Sequence, residues 1–210
     1  VMDATYVDPA TGELVYGNTD VVPAASTNLD LRADWFFDNG NSFTLSLFNK
    51  EIDDPIEFFE KAASDTNTAR EIVNAESTSI TGLELEGLSE LGALGAWGET
   101  LFVKGNATFQ ESETTAGVSA DAPTNNVRPA SGASDYVINS MVGYDSQDGR
   151  HMRSIMFNVF GERSYTAGRN GAEDLYEQPF RSFDATYGFY PTENLTLKVK
   201  LMNLFDEAIT

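Results

Sequence analysis

A strand has a side-chain period of two, and the stretch Leu195-Thr196-Leu197-Lys198-Val199-Lys200-Leu201 keeps that period throughout. Every apolar side chain falls on one face and every polar one on the other. The stretch before it does the same: Phe183, Ala185, Tyr187 and Phe189 oppose Ser182, Asp184, Thr186 and Gly188. Pro191-Thr192-Glu193-Asn194 joins the two as a tight turn. A sheet of this kind can keep one face in an apolar medium and the other in water.

The pattern recurs upstream. Strand-forming stretches are expected at about 29–38, 42–53, 71–88, 99–111, 135–145, 151–165, 180–190 and 195–205. Leu29, Leu31, Ala33, Trp35 and Phe37 oppose Asp30, Arg32 and Asp34 in the first. Leu101, Val103, Ala107 and Phe109 oppose Lys104, Asn106, Thr108 and Gln110 in the fourth. In the fifth, Val137, Ile138, Met141 and Val142 spread over both faces. Helical periodicity is weak everywhere, and Glu57 to Ala63 is expected to form one short helical turn.

The connections alternate in length. Asp38-Asn39-Gly40-Asn41, Ser146-Gln147-Asp148-Gly149 and Pro191–Asn194 are short and turn-forming, and residues 89–100 hold the remaining short position. Polar connections at about 54–70, 112–134 and 166–179 are long. Membrane barrels place short turns at one end and long loops at the other. Trp35, Phe36, Phe37, Tyr144, Phe189 and Tyr190 all precede short turns, where an interfacial aromatic girdle belongs. The expected fold is all-β: an antiparallel up-and-down meander of about eight strands, which suggests a transmembrane β-barrel. Alternation alone also fits a soluble, secreted β-sandwich that binds carbohydrate or a partner protein.

Composition removes several classes. The formal charge of −20, from 33 acidic and 13 basic side chains, excludes nucleic acid as a partner. Cysteine is absent, so there is no disulfide, thiolate metal site or cysteine nucleophile. No run of eighteen apolar residues occurs, so no membrane-spanning helix is expected. His151 is the sole histidine and lies beside a short turn, so it reads as a solvated or interface histidine; general-base work would need a positioned partner and substrate. There is no phosphate loop and no zinc spacing, and no catalytic residues are assigned. A glycosidase would need two carboxylates at a fixed separation, and the many acids single out no pair. The chain begins without a leader pattern and stops just after a strand, so it reads as a piece of a longer protein.

Three segments, taken together, resemble TonB-dependent outer-membrane receptors. Arg181-Ser182-Phe183-Asp184-Ala185-Thr186-Tyr187, the turn at Pro191–Asn194 and Asn203-Leu204-Phe205-Asp206 resemble that family's C-terminal stretch. Ile80-Thr81-Gly82-Leu83-Glu84-Leu85-Glu86-Gly87 resembles its G-x-E-x-E strand, and Arg128 to Asn139 its re-entry after a long loop. The resemblance covers about residues 28–206. It implies a plugged barrel of about 22 strands, of which this chain supplies the C-terminal part of the wall, a curved segment of a large transmembrane β-barrel. The plug, the TonB-engaging segment, the first part of the barrel and the last strand are then missing. On that pattern, residues 1–28 are an extracellular loop, 29–205 strands and loops, and 206–210 the end of the piece.

The implied function is active import of a scarce nutrient, such as an iron–siderophore or a carbohydrate, across the bacterial outer membrane. The implied partners are that small molecule, outer-membrane lipid and the TonB complex, the last through the missing N-terminal region. Long loops capture ligand in such receptors. Arg128, Arg163 and Arg169 lie in or beside them and are the ligand-binding candidates. Their forked donors suit an anionic siderophore and equally suit the surrounding acids. Asp53, Asp54, Glu57, Glu60 and Asp65 cluster in the first long loop. Calcium takes several oxygen ligands, but this spacing matches no EF-hand, so a solvated acidic loop is the favoured reading and no cofactor or metal is assigned.

Overall fold

The computed structural model describes residues 5–9, 12–62, 68–95, 98–118 and 122–208. In chain order the strands are β1 (Tyr6–Val7), β2 (Leu14–Tyr16), β3 (Ala25–Phe36), β4 (Ser42–Asp53), β5 (Ile56–Ala62), β6 (Thr68–Asn74), β7 (Ser77–Glu90) and β8 (Leu101–Thr115). They continue with β9 (Val127–Arg128), β10 (Tyr136–Asp145), β11 (His151–Phe160), β12 (Arg163–Thr166), β13 (Leu175–Glu177), β14 (Phe180–Thr192) and β15 (Leu195–Leu201). Gly92–Leu94 forms a 3₁₀ turn. Among the described residues no helix is long and apolar enough to cross a membrane.

The main sheet runs β3-β4-β7-β8-β10-β11-β14-β15, with β9 pairing beside β8. Each long strand pairs antiparallel with its neighbour along the sheet, as a meander requires. Among the described residues no crossing strand and no second layer packed on the main sheet appears, which does not fit the sandwich alternative. The short connections 37–41, 91–100, 146–150 and 193–194 therefore share one end, and the long ones share the other.

Register fixes the faces. Directly paired residues share a face, so Leu31, Leu47, Leu83, Phe109 and Tyr136 form one apolar row. Trp35, Phe43, Gly87, Gly105, Ser140, Phe157 and Phe183 form another. Leu45, Leu101, Val103, Val159, Tyr187, Leu197, Val199 and Leu201 fall on the same side by the same pairings. This face has no protein over it: Leu31 is 68% exposed, Ile155 60% and Val199 54%. An uncovered apolar sheet of this extent is far beyond what a soluble monomer shows.

The opposite face is polar and bonds to itself. Asp34 accepts from Thr44 at 2.6 Å and pairs with Arg32 at 3.0 Å, and Arg32 also reaches Glu86 at 3.5 Å. The Asn139 amide donates to Asn106 at 2.8 Å, and Asn158 donates to Ser182 at 3.3 Å. Ser46, Lys104, Asp184, Lys198 and Lys200 lie on this side too.

Several sequence boundaries shift. The expected strand 71–88 is two strands, β6 and β7, broken at Ala75-Glu76. There Ala75 N–H donates to Pro55 and Glu76 N–H donates to Thr115. The expected strand 151–165 breaks at Gly161-Glu162, where β12 departs into a hairpin with β13. The last strand stops at Leu201. Asn203, at φ 49°, turns the chain back: its N–H donates to Asp184, and Leu204 N–H donates to Phe183. The helical turn expected over Glu57–Ala63 is not found in its described part, where β5 occupies Ile56–Ala62; Ala63 lies outside the described residues. The period there is two, with Glu57 and Phe59 buried and Ile56 exposed, and pairing with β6 outweighs a weak local preference.

Aromatic rings cover glycines across the strands. Phe48 opposes Gly82 and Phe102 opposes Gly143, each ring lying over the bare backbone. A Cβ at Gly82 would also meet the Phe109 carbonyl at 2.6 Å, which cannot swing aside. A Cβ at Gly87 meets nothing closer than the Ser42 carbonyl at 3.9 Å. Gly82→Ala should therefore destabilise the sheet by about 1–3 kcal/mol, while Gly87→Ala is tolerated. The folded fraction read from heat-modifiable gel migration checks this, and equal behaviour of the two variants would contradict the packing described.

Candidate functional site: the joined long loops

The three long connections leave the same end of the sheet and build a second small body there. In the first, Asp54 adopts φ 52° and Pro55 leads into the β5–β6 hairpin. β2 adds parallel to β6, and β1 pairs with β2. The third connection joins next, because Glu60 N–H donates to the Ala167 carbonyl at 2.8 Å. The second closes on the third: Thr124 N–H donates to Gly168 at 3.0 Å and Gly132 N–H to Ser164 at 2.8 Å.

The buried apolar cluster of the described residues lies here, not in the sheet. It consists of Phe59, Val73, Ala116 and Ala167, so every long connection contributes. Phe59 is fully buried and its ring meets two guanidinium groups. Arg128 is 5.0 Å from the ring centroid and Arg169 is 5.2 Å from it. Arg128 also forms a buried ion pair with Glu57; the two side chains are 1% and 6% exposed. Glu57 further accepts from the Thr114 hydroxyl and the Ser131 N–H, both at 3.5 Å. Such a pair is expensive to desolvate and holds only while both partners are present.

Each arginine singled out from the sequence sits beside a carboxylate. Arg128 meets Glu57, Arg169 meets Glu71 at 2.9 Å, and Arg163 meets Glu177. The fold brings Arg128 and Arg169 together on Phe59. Arg163 stands apart in the β12–β13 hairpin, 4.4 Å from the Phe160 ring centroid, with its side chain 32% exposed. A fourth arginine, Arg70, pairs with Asp8 at 3.2 Å and Glu13 at 2.8 Å, beneath Phe58 and Tyr165. Burial raises the Tyr165 hydroxyl above its usual range; nearby Arg70 opposes this, and Glu13, which accepts its proton at 3.4 Å, adds to it. Sequence reasoning named Glu57 only as one of the loop acids and missed its pairing with Arg128 on Phe59, as well as the separate Arg70 cluster. The signal available was the alternation of Glu57 and Phe59 on one strand face.

Of the acidic cluster in the first loop, Glu57 is committed to Arg128, and Asp65 lies outside the described residues. Among the described residues no three carboxylate or histidine side chains gather as a metal site. His151 sits at the other end of the sheet, where its Nδ1 is 2.9 Å from the Tyr187 hydroxyl and its ring stacks on Phe189.

A meander with one uncovered apolar face, a polar opposite face and all long loops at one end is a segment of a large β-barrel wall. The chain belongs to the TonB dependent receptor-like β-barrel family, whose model matches residues 2–204. Among solved structures it is similar to the copper transporter OprC, with a TM-score of 0.68 and 16% identity over 91% of this chain. It is also similar to a ferric enterobactin receptor (PfeA) mutant from Pseudomonas aeruginosa, at TM-score 0.61 and 17% identity over 92% of the chain. The ferric yersiniabactin uptake receptor FyuA from Yersinia pestis gives 0.60 and 20% over 87%. The chain spans 28%, 27% and 25% of those proteins, respectively. No individually curated protein matches it.

Removing the charge of Arg128 tests the loop body. Arg128→Ala leaves the Glu57 carboxylate buried and unpaired, a loss of about 3–5 kcal/mol felt locally. The long loops should then become protease-sensitive while the heat-modifiable barrel persists. Glu57→Gln combined with Arg128→Met should recover much of the resistance. Loops as resistant in Arg128→Ala as in the wild type would refute the role given to this pair.

Proposed function

We propose that this chain is part of the wall and ligand-capturing loops of an outer-membrane receptor. The receptor imports a scarce small-molecule nutrient and is energised through TonB from the inner membrane. The observation that carries this is the sheet itself: one face bare and apolar, the other polar and hydrogen-bonded, in a single layer. Lipid is the medium that suits the first face, and a watery lumen suits the second. The long-loop end then faces the outside, and the joined loops are the first part of the protein a ligand meets. An iron–siderophore is the favoured cargo; two of the similar structures named above are ferric-siderophore receptors. Arg163 is assigned direct contact with an anionic cargo, because a third of its side chain is open. Arg128 and Arg169 hold the surface on which that contact is made.

Two measurements on the full-length receptor test this. Deleting 117–134 or 167–179, which leaves β8 and β12 whole, should abolish ligand binding at the cell surface while insertion continues, and Arg163→Ala should weaken binding of ferric siderophore about tenfold, as loss of a charge-assisted contact implies. Unchanged binding after both deletions, or uptake that persists without TonB, would end the proposal. Faces are tested separately. Val199→Arg places charge on the lipid side at about 2–4 kcal/mol near the midplane. It should lower the amount of inserted barrel far more than Lys198→Gln, one residue away on the lumen side. Equal insertion of the two would contradict the assignment of faces.

A further inference from the structure

At the short-turn end, the apolar face carries one basic side chain out of keeping with its surroundings. Arg153 is third in β11 and exposed. Its guanidinium lies 5.4 Å from the Tyr144 ring centroid and 5.8 Å from that of Tyr187. None of the ion pairs among the described residues includes it. Flanking rings favour the charge but accept few of its five N–H donors. Arg181, on the same face toward the long loops, differs in having Glu207 at 3.8 Å.

Beside Arg153, one register row toward the long loops, the face sinks. The row Val142, Ile155, Ala185, Leu201 has the small Ala185 between two bulky neighbours. With Leu101 and Val199 these residues line an open trough of about 610 Å³. An unpaired cation, an aromatic collar and an apolar trough running away from them match one amphiphile: an anionic head with a hydrocarbon tail.

We propose that Arg153 and this trough bind one glycerophospholipid. Its phosphate accepts from the Arg153 guanidinium between Tyr144 and Tyr187, and one acyl chain lies over Ala185. The proposal rests on the membrane reading above. That reading puts the short-turn end at the periplasmic leaflet, which assigns the phosphate to a phospholipid and not to lipid A of the outer leaflet.

The test is native mass spectrometry of the full-length receptor in mild detergent, titrated with phosphatidylglycerol or with lipid A. The wild type should retain one phosphatidylglycerol. Arg153→Gln should weaken retention about tenfold, on the scale of a lost charge-assisted hydrogen bond. Arg153→Lys should keep most of it, Ala185→Phe should weaken it by filling the trough, and Arg181→Gln should leave it unchanged. Equal retention by wild type and Arg153→Gln overturns the site, as does Arg153-dependent retention of lipid A in place of phosphatidylglycerol. Should Arg153→Gln fail to assemble, an electron-microscopy map of the wild type in phosphatidylglycerol nanodiscs decides: phosphate density on Arg153 supports the site and a bare guanidinium overturns it. Wild-type receptor absent from the outer membrane would sink the membrane reading itself, a result distinct from an inserted barrel that ignores Arg153.

Discussion

Everything in this chain depends on the backbone ladder between neighbouring strands. In a hydrocarbon medium no water satisfies an exposed N–H or C=O, so each strand must find its partners in adjacent strands. A meander meets that demand with local pairings only, as the sheet order here shows. Once the ladder is set, register decides which side chains face out, and a slip of one residue would exchange the two faces entirely. The unbroken alternation at Leu195–Leu201 is the price of keeping that register unambiguous.

The wall therefore needs no core of its own. Its apolar face is bare, and its strands are held by hydrogen bonds, cross-strand rings such as Trp35 on Phe43, and rings laid over glycines. The buried apolar cluster appears instead where the chain leaves the wall, in the joined loops. On the membrane reading proposed above this end lies in water, where the ordinary hydrophobic effect operates. Two kinds of stabilisation are thus separated along the strand axis, and damage to one end leaves the other in place.

Much of this was legible in the sequence because period-two alternation is a strong local signal in strands that bury nothing of their own. Long strands near Leu31, Leu45, Leu101, Phe183 and Val199 fall where the alternation puts them, with their faces correctly assigned. The expected breaks failed where chain continuity hid a change of sheet. Ala75-Glu76 and Gly161-Glu162 interrupt stretches that alternate on both sides, and only the pairing partners reveal the break. Glu57-Phe58-Phe59-Glu60 was opaque for another reason. Its burial depends on Arg128 and Ala167, which lie more than sixty residues downstream and which no local pattern announces.

That long-range dependence also bears on how the loops act. Phe59 is held between Arg128 and Arg169, and each of those is fixed by a carboxylate from the first connection. Arg128 of the second connection and Arg169 of the third are thereby neutralised by acids of the first. A surface built this way is shaped by all three connections at once, so no single loop can move far without exposing a buried ion. For capture of a small ligand this favours a preformed rim over independent flexible arms, since little ordering entropy is then lost on binding. On the function proposed above, ligand contact falls to partly exposed side chains such as Arg163, 32% open beside Glu177, and not to the arginines that hold the rim shut.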